Sequence, residues 1–356
     1  MQFNPDGKLV LRVNATSLKQ STCMLSWTNT ILHGYYSGVG GGSAIYGVAL
    51  HKYIDTMFKT GGDMRLAREH MLSSFRVPKV LPYRCEWIGD EGHLTVTAYN
   101  LWDNFVSKDQ SFEHIQINSR CWYCDGEGAF EAPEEHCNVG GGGFGPQCEH
   151  CQGTGTRQQP ATEVTFSVKF YEDDFCVIML EGTQDKIGRI KGGAFCIGDY
   201  KSTRDYKVDV FLSDFEMSPQ LRFYRLAMML MAEQYPDSIL GQIGATKMGC
   251  FIDGIFLSQK IVDVTYKRSA IYIFTDQQMD EFRTLLTLLC RRLSDAARRI
   301  HQQVALEKEG LLNGSCRGEW GKCSFWKACK AGTAYQQVMD SDFKKKHYDP
   351  LRHNER

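Results

Sequence analysis

Two Cys-x2-Cys pairs in the middle of the chain constrain its fold more than any other feature. Cys121 and Cys124 form the first pair, Cys148 and Cys151 form the second, and a Gly-x-Gly element follows each pair closely. Two such pairs can bind one tetrahedral Zn²⁺, and four thiolate ligands leave no open position for catalysis. Because helical and strand periodicity both fail here, we predict a structural zinc-binding insertion over residues 116–160, in which His136 or Cys137 can compete as a ligand.

Three further cysteines lie close together near the end of the chain. Cys316, Cys323 and Cys329 are one ligand short of a four-thiolate site. A histidine can complete such a group as a second zinc site. Alternatively, the distant Cys23 supplies the fourth thiolate. The spacing of these cysteines leaves both possibilities open.

The composition excludes several classes of protein. The 356 residues are 42% hydrophobic and 23% charged, which is ordinary for a globular chain and excludes a mainly disordered one. No signal peptide is recognisable, and no apolar run approaches the ~20 residues that span a bilayer. We therefore expect a soluble, cytoplasmic protein with reduced thiols and no membrane partner. Its formal net charge of −1 means that nucleic-acid binding must be argued from a local site.

Periodicity divides the rest of the chain into three regions. In residues 1–115 we predict mainly helices, at 14–36, 43–58, 63–75 and 91–115. In residues 161–310 we predict strands at 162–170, 174–181, 193–200, 250–258 and 261–274, and helices at 219–234 and 276–308. Residues 311–356 contain the late cysteines and a polar, basic tail. This order is typical of an α/β fold with a central mixed sheet flanked by helices.

Acidic residues and a lysine recur near the ends of the predicted strands. Asp185 follows the second strand, and Asp199-Tyr200-Lys201 lies in the third. Because strand side chains alternate, Asp199 and Lys201 share one face. Carboxylates bind Mg²⁺ or Mn²⁺, and a lysine beside the metal can orient an attacking water. An isolated Asp-x-Lys is most often an ordinary surface hairpin, so the interpretation depends on its neighbours.

Those neighbours are His51 in a helix before the sheet, and Gln220 and Tyr224, one turn apart, in the helix after it. In this order, the set resembles the PD-(D/E)XK nuclease superfamily, specifically its RecB-type branch. Some members of that branch, the AddB-type helicase–nuclease subunits and the exonucleases that accompany CRISPR adaptation, place one cysteine before the histidine and three near the C-terminus. Cys23 and the three late cysteines are similar to that scheme. The repeated Cys-x2-Cys-x-Gly-x-Gly element resembles the zinc knuckles of DnaJ-type co-chaperones.

The resemblance implies a restriction-endonuclease-like core with divalent-metal-dependent deoxyribonuclease activity. It implies that His51, Asp185, Asp199 and the Tyr200 carbonyl bind Mg²⁺ or Mn²⁺ and that Lys201 positions the attacking water. Gln220 and Tyr224 would hold the DNA strand and the active site. A [4Fe–4S] cluster would join the N- and C-terminal regions through Cys23, Cys316, Cys323 and Cys329, although the x6 and x5 spacings of the last three depart from the usual x2 and x5. Glu163, at the start of the first core strand, is a further candidate for the metal site.

The expected activity is hydrolysis of DNA ends or single strands by an exonuclease in recombination, repair or phage-type DNA metabolism, with one or two metal ions. Basic residues near the motifs are candidates for a groove that follows the strand: Lys186, Arg189, Arg204, Arg222 and Arg225. The zinc insertion is a candidate docking site for DNA or a protein partner. The alternative is a non-catalytic subunit that binds DNA ends or supports assembly. A chaperone-like function is disfavoured, since no His-Pro-Asp motif is present.

Overall fold

The structure is a computed structural model, and it describes most of the chain. The described residues are 3–21, 23–36, 42–74, 91–120, 152, 154, 156–203, 207–257, 264–304, 306, 317–318 and 321–345. The four predicted zinc ligands lie outside these ranges, as do Cys316 and Arg204. The predicted zinc site and the complete iron–sulfur ligand set therefore stay predictions.

The described elements confirm the alternation of helices and strands in the second half of the chain. The strands are β1 (Leu9–Val13), β2 (Tyr35–Tyr36), β3 (Phe112–His114), β4 (Gln116–Arg120), β5 (Thr156–Pro160), β6 (Thr162–Glu172), β7 (Cys176–Ile190), β8 (Phe195–Thr203), β9 (Gly249–Leu257), β10 (Val264–Arg268), β11 (Arg317–Gly318), β12 (Gly321–Lys322) and β13 (Lys344–Lys345). The α-helices are α1 (Ala15–Gln20), α2 (Met24–Trp27), α3 (Gly42–Thr60), α4 (Met64–Ser73), α5 (Glu91–Leu101), α6 (Val208–Ser213), α7 (Pro219–Gln234), α8 (Ile239–Gly244), α9 (Asp276–His301), α10 (Trp326–Lys330) and α11 (Tyr335–Asp342). Short π-helical turns, Thr28–Leu32 and Trp102–Val106, extend α2 and α5.

A mixed sheet forms the centre of the fold, as predicted. Its strands follow the order β1-β7-β8-β9-β10, while β6 and β3 also pair with β7. The β1–β7 and β8–β9 pairs are parallel, and the other pairs in this sheet are antiparallel. The long strand β7 is therefore the hub from which the remaining strands extend.

Helices cover both faces of this sheet. On the front face, α7 and α9 bury apolar side chains against strand residues such as Ile197 and Ile252. On the rear face, α3, α4 and α5 pack against Tyr200 and Ile255. Local signals explain where the front helices begin, because Ser218 caps α7 ahead of a first-turn proline and Thr275 forms a capping box at the start of α9.

Several elements differ from the sequence-based prediction. Strand β1 joins the sheet within the region predicted to be mainly helical, because Leu9, Leu11 and Val13 alternate into the front core. Strand β3 occupies residues predicted to be helical, since it pairs with the end of β7. Asp185 does not lie between strands, because β7 continues from Cys176 to Ile190. The prediction stopped this strand too early, at Glu181.

Two further pairings bear on the predicted insertion and on the chain ends. Strands β4 and β5 form an antiparallel pair in which Arg120 lies opposite Thr156, so the two ends of the segment between them meet. Strand β13 pairs with β2, which brings the late part of the chain onto the N-terminal region. Among the helices of the described residues, none is long and apolar enough to cross a membrane.

Candidate active site

The candidate site lies at a gap in the sheet beside β7. On one side of β7, β1 pairs with residues 176–180 and β8 pairs with residues 186–189. Residues 181–185 have no strand partner on that side within the described part of the chain. The gap is where side chains from helices on both faces of the sheet meet strand residues.

Three potential metal ligands converge at this gap. The Nδ1 atom of His51, from α3, lies 3.5 Å from Asp185 Oδ2 and 3.8 Å from Glu163 Oε1. One ligand atom from each of these three residues lies within 4.8 Å of the other two. Carboxylate oxygens and an imidazole nitrogen are donors that Mg²⁺ and Mn²⁺ accept, so this set fits a divalent cation.

Asp199 and Lys201 lie next to these ligands on β8. Lys201 Nζ is 2.5 Å from Asp199 Oδ2, so the two side chains share a face as their spacing predicts. This buried carboxylate therefore has the Lys201 ammonium as its partner. Its oxygens are also of the kind that a divalent cation binds.

Helix α7 and the backbone of β8 hold the two aspartates in place. Gln220 Nε2 donates to Asp199 Oδ1 at 3.1 Å and contacts the Tyr224 hydroxyl at 2.8 Å. The Tyr200 backbone N–H donates to Asp185 Oδ2 at 2.6 Å. The structure thus brings together all six side chains that the sequence identified, and it adds Glu163 as a direct neighbour of His51.

Burial and the neighbouring charges raise the pKa values of three side chains in this cluster. Burial lowers the pKa of His51, but the carboxylates of Asp185 and Glu163 outweigh it and raise that pKa to about 10. Burial, with the charge of Asp185, raises the pKa of Glu163 to about 7. Burial and Asp185 also raise the pKa of Asp199 to about 6, against the opposing effect of Lys201. Protonated His51 and Lys201 therefore balance these carboxylates, and a divalent cation bound here would take the place of the His51 proton.

Glu163 has a strained backbone at this site. Its φ is +48°, in the left-handed region that non-glycine residues rarely adopt. The neighbouring pairs, Thr162 with Lys186 and Val164 with Gln184, flank it on β6 and β7. Leu180 and Ile187 both lie in the front core, although seven positions separate them, so the alternation of β7 is interrupted near Asp185. A strained backbone conformation of this kind persists only where the surrounding structure holds it, and it is often found at functional sites.

This strain predicts an unusual order of stabilities. We expect the Glu163→Gly variant to be more stable than Glu163→Ala by about 1 kcal/mol, because only glycine adopts the left-handed region without cost. Thr165, two residues on in the same strand and exposed, is a matched control. There the Ala variant should be the more stable of the two. Denaturant unfolding of all four variants measures this, and greater stability of Glu163→Ala than of Glu163→Gly would contradict the strain.

The predicted basic groove is only partly supported. The prediction for Lys186 is wrong, because this side chain is 2% exposed and pairs with the buried Asp253 on the rear face. Arg225 uses its guanidinium to bind the carbonyls of Gly244 and Thr246. Arg189 stays exposed and stacks on Phe195. The strand-end motifs gave no signal for the Lys186–Asp253 pair, because its members are far apart in sequence.

Comparison with known families identifies the core. The sequence model of the PD-(D/E)XK nuclease superfamily matches residues 147–330, a little over half of the chain. The chain belongs to this superfamily. A search of curated proteins finds no significant match. Members of the superfamily are metal-dependent nucleases, and the α/β fold and the His51–Glu163–Asp185 cluster of this PD-(D/E)XK protein agree with that activity.

The family match does not reach His51, which lies about 100 residues before it. The structure nevertheless places His51 against Asp185, so this PD-(D/E)XK protein builds its site from a helix outside the matched segment. The match also says nothing about the branch of the superfamily. Resemblance to the RecB-type and AddB-type members stays a prediction from the sequence.

Three of the described cysteines, Cys23, Cys323 and Cys329, lie in segments where the two ends of the chain meet. Cys23 is buried at the start of α2. Cys323 and Cys329 pack against a small apolar cluster that includes Tyr35 and Phe325. Tyr335 links these parts, since its hydroxyl accepts a hydrogen bond from Asn29 Nδ2. This hydrogen bond and the β2–β13 pair bring the late part of the chain onto the N-terminal region.

Proposed function

We propose that this PD-(D/E)XK nuclease is an exonuclease that hydrolyses DNA from its ends with Mg²⁺ or Mn²⁺. The observation that carries the proposal is the convergence of His51, Glu163 and Asp185 beside the Asp199–Lys201 pair. His51, Asp185, Asp199 and the Tyr200 carbonyl would hold one or two metal ions, with Glu163 as an additional ligand. A metal bound there would lower the pKa of a water and offset charge on the phosphate.

The other side chains have defined roles in this proposal. Lys201 keeps its proton because the carboxylates of Asp199 and Asp185 raise its pKa more than burial lowers it. Its ammonium group can then orient the attacking water and stabilise negative charge on the phosphate. Gln220 holds Asp199 through Oδ1. Tyr224 remains a neutral hydroxyl, since burial and the nearby aspartates hold its pKa well above the usual range, and it can donate to a DNA phosphate.

Action at DNA ends is the finer part of the proposal. Its support is the sequence resemblance to exonucleases with a similar four-cysteine scheme, together with the Asn29–Tyr335 hydrogen bond and the β2–β13 pair that join the two ends of the chain. We assign a [4Fe–4S] cluster to Cys23, Cys316, Cys323 and Cys329. We assign Zn²⁺ to Cys121, Cys124, Cys148 and Cys151, in a segment whose ends the β4–β5 pair holds together. That segment is also the proposed contact for a protein partner or DNA.

Topology of the substrate tests the proposed exonuclease activity. Anaerobically purified protein with Mn²⁺ would be given end-labelled linear DNA, single- and double-stranded, beside a covalently closed circle of the same sequence. We expect the linear DNA to be trimmed and the circle to survive. If the circle is cleaved as fast as the linear DNA, the protein is an endonuclease and the proposed exonuclease activity is wrong. Binding without cleavage of any substrate would favour a DNA-end-binding subunit.

The iron–sulfur assignment predicts a specific loss of iron. The Cys23→Ser variant, purified anaerobically, should contain much less iron and acid-labile sulfide than the wild-type protein, because the cluster needs all four thiolates. Cys176→Ser is a matched control, since Cys176 is also buried but lies in β7. Iron content equal to wild type in Cys23→Ser, or an equal loss in Cys176→Ser, would contradict the assignment.

A further inference from the structure

A row of buried charges crosses the rear face of the sheet next to the candidate active site. We call Asp109, Lys186, Tyr200, Asp253 and Arg268 the rear network. Lys186 Nζ contacts the Tyr200 hydroxyl at 3.0 Å and forms an ion pair with Asp253. Arg268 donates to both oxygens of Asp253, at 2.8 and 2.9 Å, and to Asp109 Oδ2 at 2.6 Å. Lys186 and Asp253 are almost completely buried.

The rear network is balanced in charge, and its members are joined by hydrogen bonds and ion pairs. Two cations, Lys186 and Arg268, face two carboxylates, Asp253 and Asp109. The Lys186 ammonium also lies 4.2 Å from the centroid of the Tyr200 ring. Buried ion pairs of this kind often contribute little net stability compared with apolar residues of similar volume. Their placement in the fold therefore calls for another explanation.

Each member on β7 and β8 is adjacent in sequence to a residue of the candidate site. Lys186 follows Asp185, and Tyr200 lies between Asp199 and Lys201. Tyr200 makes both connections, since its backbone N–H binds Asp185 and its hydroxyl contacts Lys186. A change in the position of Lys186 or Tyr200 would thus move the aspartates directly.

The rear network also lies where the pairing of β7 with β8 stops. The last paired residues are Lys186 and Gly198, and Asp185 and Asp199 come immediately after them. There is no space for a side chain at position 198, because a Cβ atom would lie 2.6 Å from Lys186 Cε and 2.5 Å from Phe251 Cζ. Past this point, the contacts of Lys186 with Tyr200 and Asp253 connect β7 to β8 and β9.

We propose that Lys186 and Asp253 are positioning residues that fix the separation of Asp185 and Asp199 by linking β7 to β8 and β9 where their pairing ends. The inference rests on the proposed function, in that the two aspartates bind the metal. Neither Lys186 nor Asp253 touches metal or DNA in this account. They act through Tyr200, whose hydroxyl contacts Lys186 and whose backbone N–H donates to the Asp185 carboxylate.

Direct measurement of Mn²⁺ binding by calorimetry, without DNA, tests the proposal together with thermal unfolding. The variants are Lys186→Met and the double variant Lys186→Met/Asp253→Asn, which restores charge balance. We expect the single variant to lose stability and to bind Mn²⁺ about 10-fold more weakly or worse, the range seen when groups supporting metal ligands are removed. The double variant should regain much of the stability while its Mn²⁺ affinity stays low.

Arg12→Met is a matched control. Arg12 forms an ion pair with the buried Glu181 of β7, as Lys186 does with the buried Asp253. The Arg12 pair, however, links β7 to β1 and not to β8. This variant should lose stability and keep its Mn²⁺ affinity. Recovery of Mn²⁺ affinity together with stability in the double variant, or unchanged affinity in the single variant, would show that the rear network is only structural.

Failure of the metal site and failure of the positioning role give different results. If wild-type protein binds no Mn²⁺ at the site, so that Asp185→Asn binds as little as wild type, the proposed metal site itself is wrong and the positioning role falls with it. If wild type binds Mn²⁺ and the Lys186 variants bind it equally well, only the positioning role is wrong. Cleavage of DNA is not needed for either conclusion.

Discussion

Replacing Asp185 with asparagine is expected to abolish Mn²⁺-dependent DNA cleavage, with a loss of about 10³-fold or more, because metal and charge stabilisation in such a site amounts to several kcal/mol. The change removes one negative charge and one strong ligand but keeps an oxygen that can accept the Tyr200 N–H. The fold should therefore survive. The measurement is the rate of cleavage of labelled DNA beside a Mn²⁺ titration of the same preparation, in which affinity should fall in parallel.

Asp173→Asn is the matched control for this variant. Asp173 lies in the turn before β7 and, like Asp185, accepts backbone hydrogen bonds, from the N–H groups of Phe175 and Cys176. It lies at the other end of β7 from the metal ligands. This variant should lose some stability and keep both Mn²⁺ affinity and cleavage. Equal losses of cleavage in the two variants would mean that Asp185 acts through stability alone.

Replacing Lys201 with methionine is the second change with a large expected effect. Methionine keeps the length and much of the volume of the side chain but removes the ammonium group that contacts Asp199. We expect cleavage to fall by about 10²–10⁴-fold, the range for a group that positions or protonates a reacting atom. DNA affinity and the folded state should be retained. Mn²⁺ affinity should not fall, because Lys201 repels the cation and is not a ligand.

A lysine elsewhere in the sheet separates the local effect from a general loss of charge. Lys169, in β6, is exposed and pairs with Glu172. Lys169→Met removes the same charge at a distance from the metal ligands and should cleave like wild type. Loss of Mn²⁺ affinity in Lys201→Met would contradict the assigned role, since the residue would then support the metal site and not the attacking water.

The sequence predicted the core elements well because their signals are local. The alternation over β6 and the apolar pattern of helix α7 depend on neighbouring residues, and the structure confirms both elements. The motifs also predicted that Asp199 and Lys201 would share a face, since two-residue spacing in a strand requires it. The strands β1 and β3 were missed because their pairing with β7 joins distant segments.

The details of the site depend on features that local periodicity does not encode. Glu163 was only a candidate from its position, and its left-handed backbone and contact with His51 result from packing between β6, β7 and α3. Lys186 was predicted to lie on the surface because lysine is usually exposed. Its burial depends on Asp253, which lies 67 positions later in the chain, and Asp253 in turn pairs with Arg268, 15 positions further on. A buried ion pair between distant residues leaves no pattern in one sequence.

Rescue of cleavage by metal tests the central claim most directly. Chelator-treated wild-type protein and Lys201→Met would each receive Mn²⁺ together with end-labelled linear DNA, in single-turnover conditions. Added Mn²⁺ is expected to restore cleavage to the wild-type protein and not to Lys201→Met, although both should bind the metal and the DNA. Cleavage by Lys201→Met at the wild-type rate, or a wild-type protein that binds Mn²⁺ and DNA and cuts nothing, would contradict it.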